Sequence, residues 1–307
     1  GLSDRQREAV THSEGPLLIV AGPGSGKTRV MAHRVAFLIG EKGIPSWKIL
    51  AVTFTNKAAR ELRERCERLV GVGSPELQVR TFHGFCSRVL RSDGEHVGLK
   101  PEFTIYDADD QARVARRVLD GLDIDPKQFP PRALLSVVSD AKNNMRSPAQ
   151  LSRRTETYRD EVASRFYQAY ESALQRANAA DFDDLLLKTY QLLEGYPEML
   201  EKYQERFDYL LVDEFQDTNP LQFQVARLLA LKSQNICVVG DPDQSIYSWR
   251  HADPTNLTDF QSTFKNTKIV TLDQSYRSTQ IILEAADSVI GNNDGRMEKN
   301  LWTENSR

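Results

Sequence analysis

The sequence predicts an α/β protein: a parallel sheet flanked by helices and carrying a large all-helical insertion. Three observations predict it. Short apolar runs alternate with helical patterns up to about residue 90, no convincing strand occurs from 93 to 205, and the alternation then resumes as far as 272. Strands that alternate with helices pair in parallel, because each helix returns the chain to the same end of the sheet. The first and third blocks are therefore expected to share one sheet, with the helical block hung from its edge.

Taken in order, "PLLIV" (16–20), "ILAVT" (49–53) and "LQVR" (77–80) read as strands, being short, apolar and rich in branched side chains. Helical patterns follow the first two. In "NKAARELRERCERL" (56–69), Asn56 is placed to act as the N-cap. The insertion supplies amphipathic stretches of helix length at 107–122, 132–144, 158–178 and 181–196. Then come "YLLVDE" (209–214), a helix near 219–232, "ICVVGD" (236–241), a helix near 254–264, and "KIVTL" (268–272). There is no internal repeat and no low-complexity segment.

Bulk composition narrows the class. The 307 residues are 40% hydrophobic and 27% charged, which suits a globular chain with a real core. No apolar run approaches the length of a membrane span, and no signal peptide is visible, though Gly1 is not a natural start. Cys66, Cys86 and Cys237 form no CxxC pair, which points to a reducing, cytoplasmic setting. The five histidines lack metal-ligand spacing. A net charge of −3 gives no global attraction for nucleic acid, so such binding would need a local groove.

The chemistry begins at "AGPGSGKT" (21–28), between an apolar run and a helical pattern. Glycines there let backbone N–H groups approach phosphate oxygens, and the helix N-terminus adds donors and a positive dipole end. This is a P-loop context: Lys27 would reach the β- and γ-phosphates of a nucleotide and Thr28 would ligate Mg²⁺. Ala21 stands where glycine is usual, a change between small residues. "LLVDE" (210–214) supplies the complementary acids, with Asp213 placed to hold Mg²⁺ and Glu214 to act as general base toward the attacking water. Gln6 admits two readings. "SDRQ" (3–6) fits a capping box, in which Gln6 merely satisfies a helix start, and a nucleotide site would instead use it on the adenine edge.

The set "LSDRQREAV", "AGPGSGKT", "AVTFTNKAAREL", "RTFHGF", "DFDDLL", "VDEFQDT", "GDPDQSIYSWRHAD" and "LDQSYRST" resembles, in this order, the superfamily 1A DNA helicases of the UvrD/PcrA/Rep group. The resemblance covers essentially the whole chain. It implies a RecA-like P-loop NTPase sheet and an ATP-dependent motor that moves 3′ to 5′ along single-stranded DNA and opens the duplex at a single-strand/double-strand junction. It implies ATP and Mg²⁺ as cofactors, and no membrane partner. By the resemblance, Gly22, Gly24, Ser25, Gly26, Lys27, Thr28 and Arg29 surround the phosphates. Gln6 reads the adenine, Tyr276 stacks on it, Gln244 senses the γ-phosphate and Arg277 contacts it. Phe54, Asn56, His83, Phe182, Tyr247, Trp249 and Arg250 line or border the path of the bases, where stacking holds a strand without reading its sequence.

The resemblance also implies a division into domains. Residues 1–92 and 205–273 would form the ATP-binding motor domain (1A), 93–204 the helical insertion (1B), and 274–307 the start of a second motor domain (2A). Relatives continue well beyond that point, so the chain is expected to be an N-terminal fragment. The alternatives are the corresponding part of a helicase–nuclease of the RecB or AddA type, or a nucleotide-binding module with no motor role. Two positions depart from the family pattern: His251 stands where glycine is usual, and "LDQSYRST" replaces "LEQNYRST".

Overall fold

The computed structural model describes residues 1–71, 76–153, 157–247, 252–253, 255–292 and 299–305. Along the chain come α1 (Asp4–Thr11), β1 (Leu17–Ala21), α2 (Lys27–Gly40), β2 (Ile49–Thr53), α3 (Asn56–Val70), β3 (Gln78–Thr81) and α4 (Phe82–Asp93). There follow β4 (Thr104–Ile105), α5 (Ala108–Gly121), α6 (Pro131–Asn143), α7 (Pro148–Ser152), α8 (Tyr158–Arg176), β5 (Ala179–Ala180) and α9 (Phe182–Gly195). The described elements end with α10 (Pro197–Arg206), β6 (Tyr209–Val212), α11 (Pro220–Ala230), β7 (Ile236–Gly240), α12 (Asn256–Thr263), β8 (Lys268–Leu272) and α13 (Gln280–Ile290). They fall into two compact units. Gly1–Phe82, Glu201–Asn219 and Ala226–Arg307 make the first, and His83–Leu200 with Pro220–Val225 the second.

The first unit is built on a six-stranded sheet of order β3-β2-β6-β7-β1-β8. Every pairing is parallel, with Leu17 opposite both Cys237 and Lys268, and Ile49 opposite Tyr209. The α/β class expected from the alternation is therefore what the chain adopts. β1, β2 and β7 are buried along their whole length, as strands covered on both faces must be. Leu17, Ile19, Ala51, Leu211 and Val239 pack on one face against Val30, Val35 and Leu38 of α2 and Leu62 and Cys66 of α3. In α3 the buried residues Ala59, Leu62 and Cys66 recur at helical spacing, leaving the charged residues to solvent. Because all strands run the same way, their carboxyl ends meet at one rim, where open α/β sheets bind ligands.

The second unit is helical, with a core of Leu119, Leu134, Val138, Phe166, Tyr170 and neighbours drawn from α5, α6 and α8. It is not wholly helical: β4 and β5 form a parallel ladder pairing Thr104 with Ala179 and Ile105 with Ala180. Strands of two residues are too short to leave a period in the sequence. Two other expectations need correction. Asn56 is the first residue of α3, and the cap is Thr55, whose side chain accepts from the Ala58 N–H. β3 runs directly into α4, where the sequence predicts no helix. α10 follows α9 after a break at Tyr196, in keeping with the helical texture expected as far as 205.

Candidate active site

The turn after β1 holds two glycines in the left-handed region, Gly24 at φ 73° and Gly26 at φ 87°, and Gly26 is the N-cap from which α2 starts at Lys27. A side chain at either would be strained. Both glycines are also closely approached. A Cβ on Gly24 would lie 2.6 Å from Arg277 Cβ and 2.8 Å from Ser275 Oγ, and one on Gly26 would lie 3.0 Å from Gln6 Nε2. Gly22 sits under the Leu301 side chain. Ser25 is buried and closes the turn by donating its hydroxyl to the Gly22 carbonyl at 2.8 Å. Lys27 follows at the start of α2, with Thr28 beside it and Arg29 exposed, its guanidinium donating to the Gly1 carbonyl at 3.0 Å.

Across the rim, the end of β6 delivers the acids. Lys27 Nζ donates to Glu214 Oε2 at 2.8 Å. Glu214 holds a left-handed backbone (φ 49°, ψ 48°), an uncommon state for a residue with a Cβ, found here at the head of a single turn, Phe215–Asp217. Asp213 is buried and accepts its neighbour's backbone N–H at 3.0 Å. Burial, with the Glu214 charge beside it, pushes the Asp213 carboxyl up to about 7. Burial, with the Glu214 charge, likewise lifts Asp217 to about 6, and its Oδ1 is enclosed without a hydrogen-bond partner among the described residues. This corner holds more negative charge than Lys27 alone balances.

Gln6 lies on α1, buried, and the capping reading is the one the structure shows. It completes the capping box with Ser3, and its Nε2 donates to the Ser25 carbonyl at 2.8 Å, tying α1 to the glycine-rich turn. It also lines a cavity of about 500 Å³ with Ser25, Leu272, Tyr276 and Trp302. Tyr276 is half-exposed there, and its backbone N–H donates to the Gly24 carbonyl at 3.0 Å. Arg277 follows with its side chain exposed.

Gln244 is half-buried. Its Nε2 donates to Asp241 Oδ2 at 2.5 Å, in the loop that leaves β7. Further along that loop, Tyr247 stacks on Phe54 from the end of β2, with centroids 4.8 Å apart. Asn56 is exposed two residues beyond Phe54. In the helical unit, the exposed Phe182 meets the edge of His83 at 5.9 Å. Trp249, Arg250 and His251 lie outside the described residues.

Four participants were missed by sequence reasoning. Trp302 lines the cavity, and only its being an aromatic in a polar tail hinted at it. Asp241 is fully buried and pairs with Lys299, which also meets Asp243 at 2.8 Å. An Asp at the end of "ICVVGD" was a readable signal, but the distant Lys299 was not. Gln216 joins Glu214 to Asp241, and nothing in "FQD" announces it.

A parallel sheet with a left-handed glycine turn running into a helix, and acids at the neighbouring strand ends, defines a RecA-like P-loop nucleotide-binding fold. Residues 2–265 match the model of the UvrD/REP helicase N-terminal domain, and the chain belongs to that family. It is similar to the ATP-dependent DNA helicase PcrA of Bacillus subtilis (strain 168), 48% identical over 305 residues. It is similar also to PcrA of Leuconostoc citreum, 46% over 308 residues, and of Staphylococcus aureus (strain Mu50), 46% over 305. Between 99% and 100% of this chain is covered, and 41–42% of each relative. The chain thus spans about two fifths of the length of these relatives. None of them is named a helicase–nuclease, and that alternative is not favoured.

Proposed function

We propose that this chain is the ATP-binding portion of an ATP-dependent DNA helicase that moves 3′ to 5′ on single strands. The observation that carries the reading is the Lys27–Glu214 contact at 2.8 Å across the strand ends, with the buried Asp213 beside it. A phosphate-binding lysine and a candidate base are already within reach of one another.

The roles follow from the chemistry. The glycine turn and Lys27 bind the triphosphate, and Glu214 takes a proton from the attacking water. The adenine occupies the cavity beside Gln6 and Tyr276. Thr28 and Asp213 offer the hydroxyl and carboxylate oxygens that Mg²⁺ prefers, and a carboxyl pushed up to about 7 by burial favours a cation in its neighbourhood. Bound there, the ion would neutralise charge on the transferring phosphoryl group. Among the described residues no cluster of three or more His, Cys, Asp or Glu offers an all-protein metal cage. Gln244 and Arg277 join at the γ-phosphate, which requires Gln244 to leave Asp241.

Single-strand binding is assigned to Phe54, Asn56 and Tyr247 of the first unit, to His83 and Phe182 of the second, and to Trp249 and Arg250, which lie outside the described residues. Residues 1–92 and 205–273 are the motor domain, 93–204 its insertion and 274–307 the opening of a second motor domain. The compact units, which part at Phe82 and at Leu200, support a motor domain with a helical insertion, while Pro220–Val225 group with the insertion and Ala226–Arg307 stay together in the first unit. Among the described residues no helix is long and apolar enough to cross a membrane, and the three cysteines are buried and unpaired, which suits work in a reducing cytoplasm.

The test is ATP hydrolysis by the complete protein that carries this sequence, with and without oligothymidine. Turnover should need Mg²⁺, rise with the single strand and vanish in Lys27→Ala. ATP binding without any affinity for the oligonucleotide would instead make this a nucleotide-binding module and overturn the motor reading.

A further inference from the structure

The side chain of Gln216 stands between the two halves of the site. It is 1% exposed and lies in the turn that follows Glu214. Its Nε2 donates to Glu214 Oε2 at 2.9 Å, the same oxygen that accepts from Lys27. Its Oε1 accepts from the Asp241 N–H at 3.0 Å, the first residue of the loop leaving β7. Its backbone carbonyl accepts from Ser245 Oγ at 3.3 Å, farther along that loop.

The fit is close on every side. A Cβ on Gly240 would lie 2.9 Å from Gln216 Oε1, so the end of β7 is pressed against the amide. Beneath it, Phe215 is fully buried with its ring edge-on to Phe260 at 5.8 Å, and Thr218 Oγ1 donates to the Phe215 carbonyl at 2.6 Å. The turn is held, so a displacement of Glu214 is passed to the amide rather than lost in the backbone. On the far side, the loop leads through Gln244 to Tyr247 and its stack on Phe54.

We propose that Gln216 is the positioning residue that couples the state of Glu214 to the aromatic loop at 241–247. The proposal rests on the reading of Glu214 as the base and of the aromatics as the strand path. A primary amide serves both ends, since it donates at one atom and accepts at the other. When Lys27 turns to phosphate, Glu214 loses its cation and keeps Gln216. The carboxylate's place is then set by the amide that also sets the first N–H of the loop. A strand pressing on the loop acts on Glu214 by the same route, since coupling between sites is reciprocal.

The experiment compares wild type, Gln216→Met and Gln216→Glu in the complete protein. Methionine keeps the length and loses the side-chain hydrogen bonds to Glu214 and Asp241 together with the longer one to Asp217 Oδ2 at 3.4 Å. Glutamate is isosteric, keeps the acceptor for Asp241 N–H and sets a second carboxylate against Glu214. Both variants should bind a non-hydrolysable ATP analogue, and oligothymidine alone, much as wild type does. In both, stimulation of hydrolysis by oligothymidine should fall, and the analogue should no longer change strand affinity. The lost coupling should be about 5–150-fold, the usual span of such linkage. A merely structural role would lower the melting temperature and both affinities together and leave the coupling intact, and that result overturns the proposal. So does full stimulation in Gln216→Glu, which also serves if Gln216→Met does not fold. Absence of any strand effect in wild type would instead sink the motor reading itself.

Discussion

Lys142 and Lys27 both face carboxylates, and they do so in opposite ways. Lys142, in the helical unit, has a side chain with 0% exposure and three acids around it: Glu171 at 2.7 Å, Asp181 at 2.8 Å and Asp184 at 2.8 Å. The Tyr170 ring lies 5.4 Å from its Nζ, and the Tyr170 hydroxyl donates to Asp181. The contact with Glu171 Oε1 is an ion pair without hydrogen-bond geometry. Lys27, at the strand ends, meets one carboxylate and keeps 12% of its side chain exposed, while the Glu214 side chain keeps 35%. The first cluster is closed and can admit nothing. The second is a lysine and an acid with room between them and solvent, beside a glycine turn that offers backbone donors.

The difference teaches what buried charge is for in each unit. In the closed cluster, Asp181 is the N-cap of α9 and forms a capping box with Asp184, while Asn143 holds Asp183 at 2.9 Å. Lys142 and its neighbour thus grip the first turn of α9 on both sides of Phe182. The acids outnumber the ammonium. Burial and the Asp184 charge push Asp181 up to about 7, burial lifts Glu171, and Lys142 holds Asp184 below the usual carboxylate range. The lysine itself stays charged, lifted well above its ordinary value by Asp181, Asp184 and Glu171 against the penalty of burial.

The comparison can be broken most severely at the closed cluster. Lys142→Met leaves several acids without their cation and should cost about 3–5 kcal/mol, the usual loss when one partner of a buried pair is removed. Urea unfolding of the chain measures it, and a loss below about 1 kcal/mol would place this pair with surface bridges. At the open pair the large effect is on rate. Glu214→Gln should leave ATP binding near normal and slow hydrolysis by about 10²–10⁴. Near-normal turnover would mean that another group activates water.

A smaller effect sharpens the closed side. An unfolded aspartate titrates near about 3.9, and Asp181 titrates at about 7 in the folded chain. Between those values the native state binds the extra proton, so stability falls as pH rises through that window. Asp213 and Asp217 act in the same direction from the other unit, and Asp184, held low, acts only at more acid pH. The Asp181 share is therefore read as wild type minus Asp181→Asn, which keeps a capping side chain and removes the titration. A flat difference between pH 5 and 8 would show that Asp181 ionises like an exposed acid. Smaller still, Phe182→Ala should weaken oligothymidine binding by about 1–3 kcal/mol, the value of one base–aromatic stack, in fluorescence anisotropy on the complete protein. Unchanged affinity would leave Phe182 as a neighbour of His83 and nothing more.

Legibility in the sequence followed the range of the interactions. The sheet could be read because β1, β2 and β7 are unbroken apolar runs, and the glycine turn because "GPGSGKT" needs positive φ at particular places. Thr55 and Asn56 are adjacent residues that both cap well, and no local rule separates them. The Lys142 cluster joins residues 39 and 42 positions apart, and Gln216 meets Asp241 25 positions away. Such partners are set by packing, and their residue types are ordinary. Gln6 was ambiguous because capping and lining the cavity are compatible, and the folded chain does both.

If Lys27 belongs to an open site built for a ligand and Lys142 to the frame, a nucleotide should stabilise the fold through Lys27. Thermal unfolding of this chain and of Lys27→Met, each with and without ATP–Mg²⁺, tests it most directly. A ligand at a hundredfold excess over its Kd stabilises a fold by about 2.7 kcal/mol. Wild type should show a rise of that order, while Lys27→Met should melt within about 1 kcal/mol of unliganded wild type and show no rise. A variant that melts far below wild type without ligand, or that keeps the full rise with it, would contradict the account.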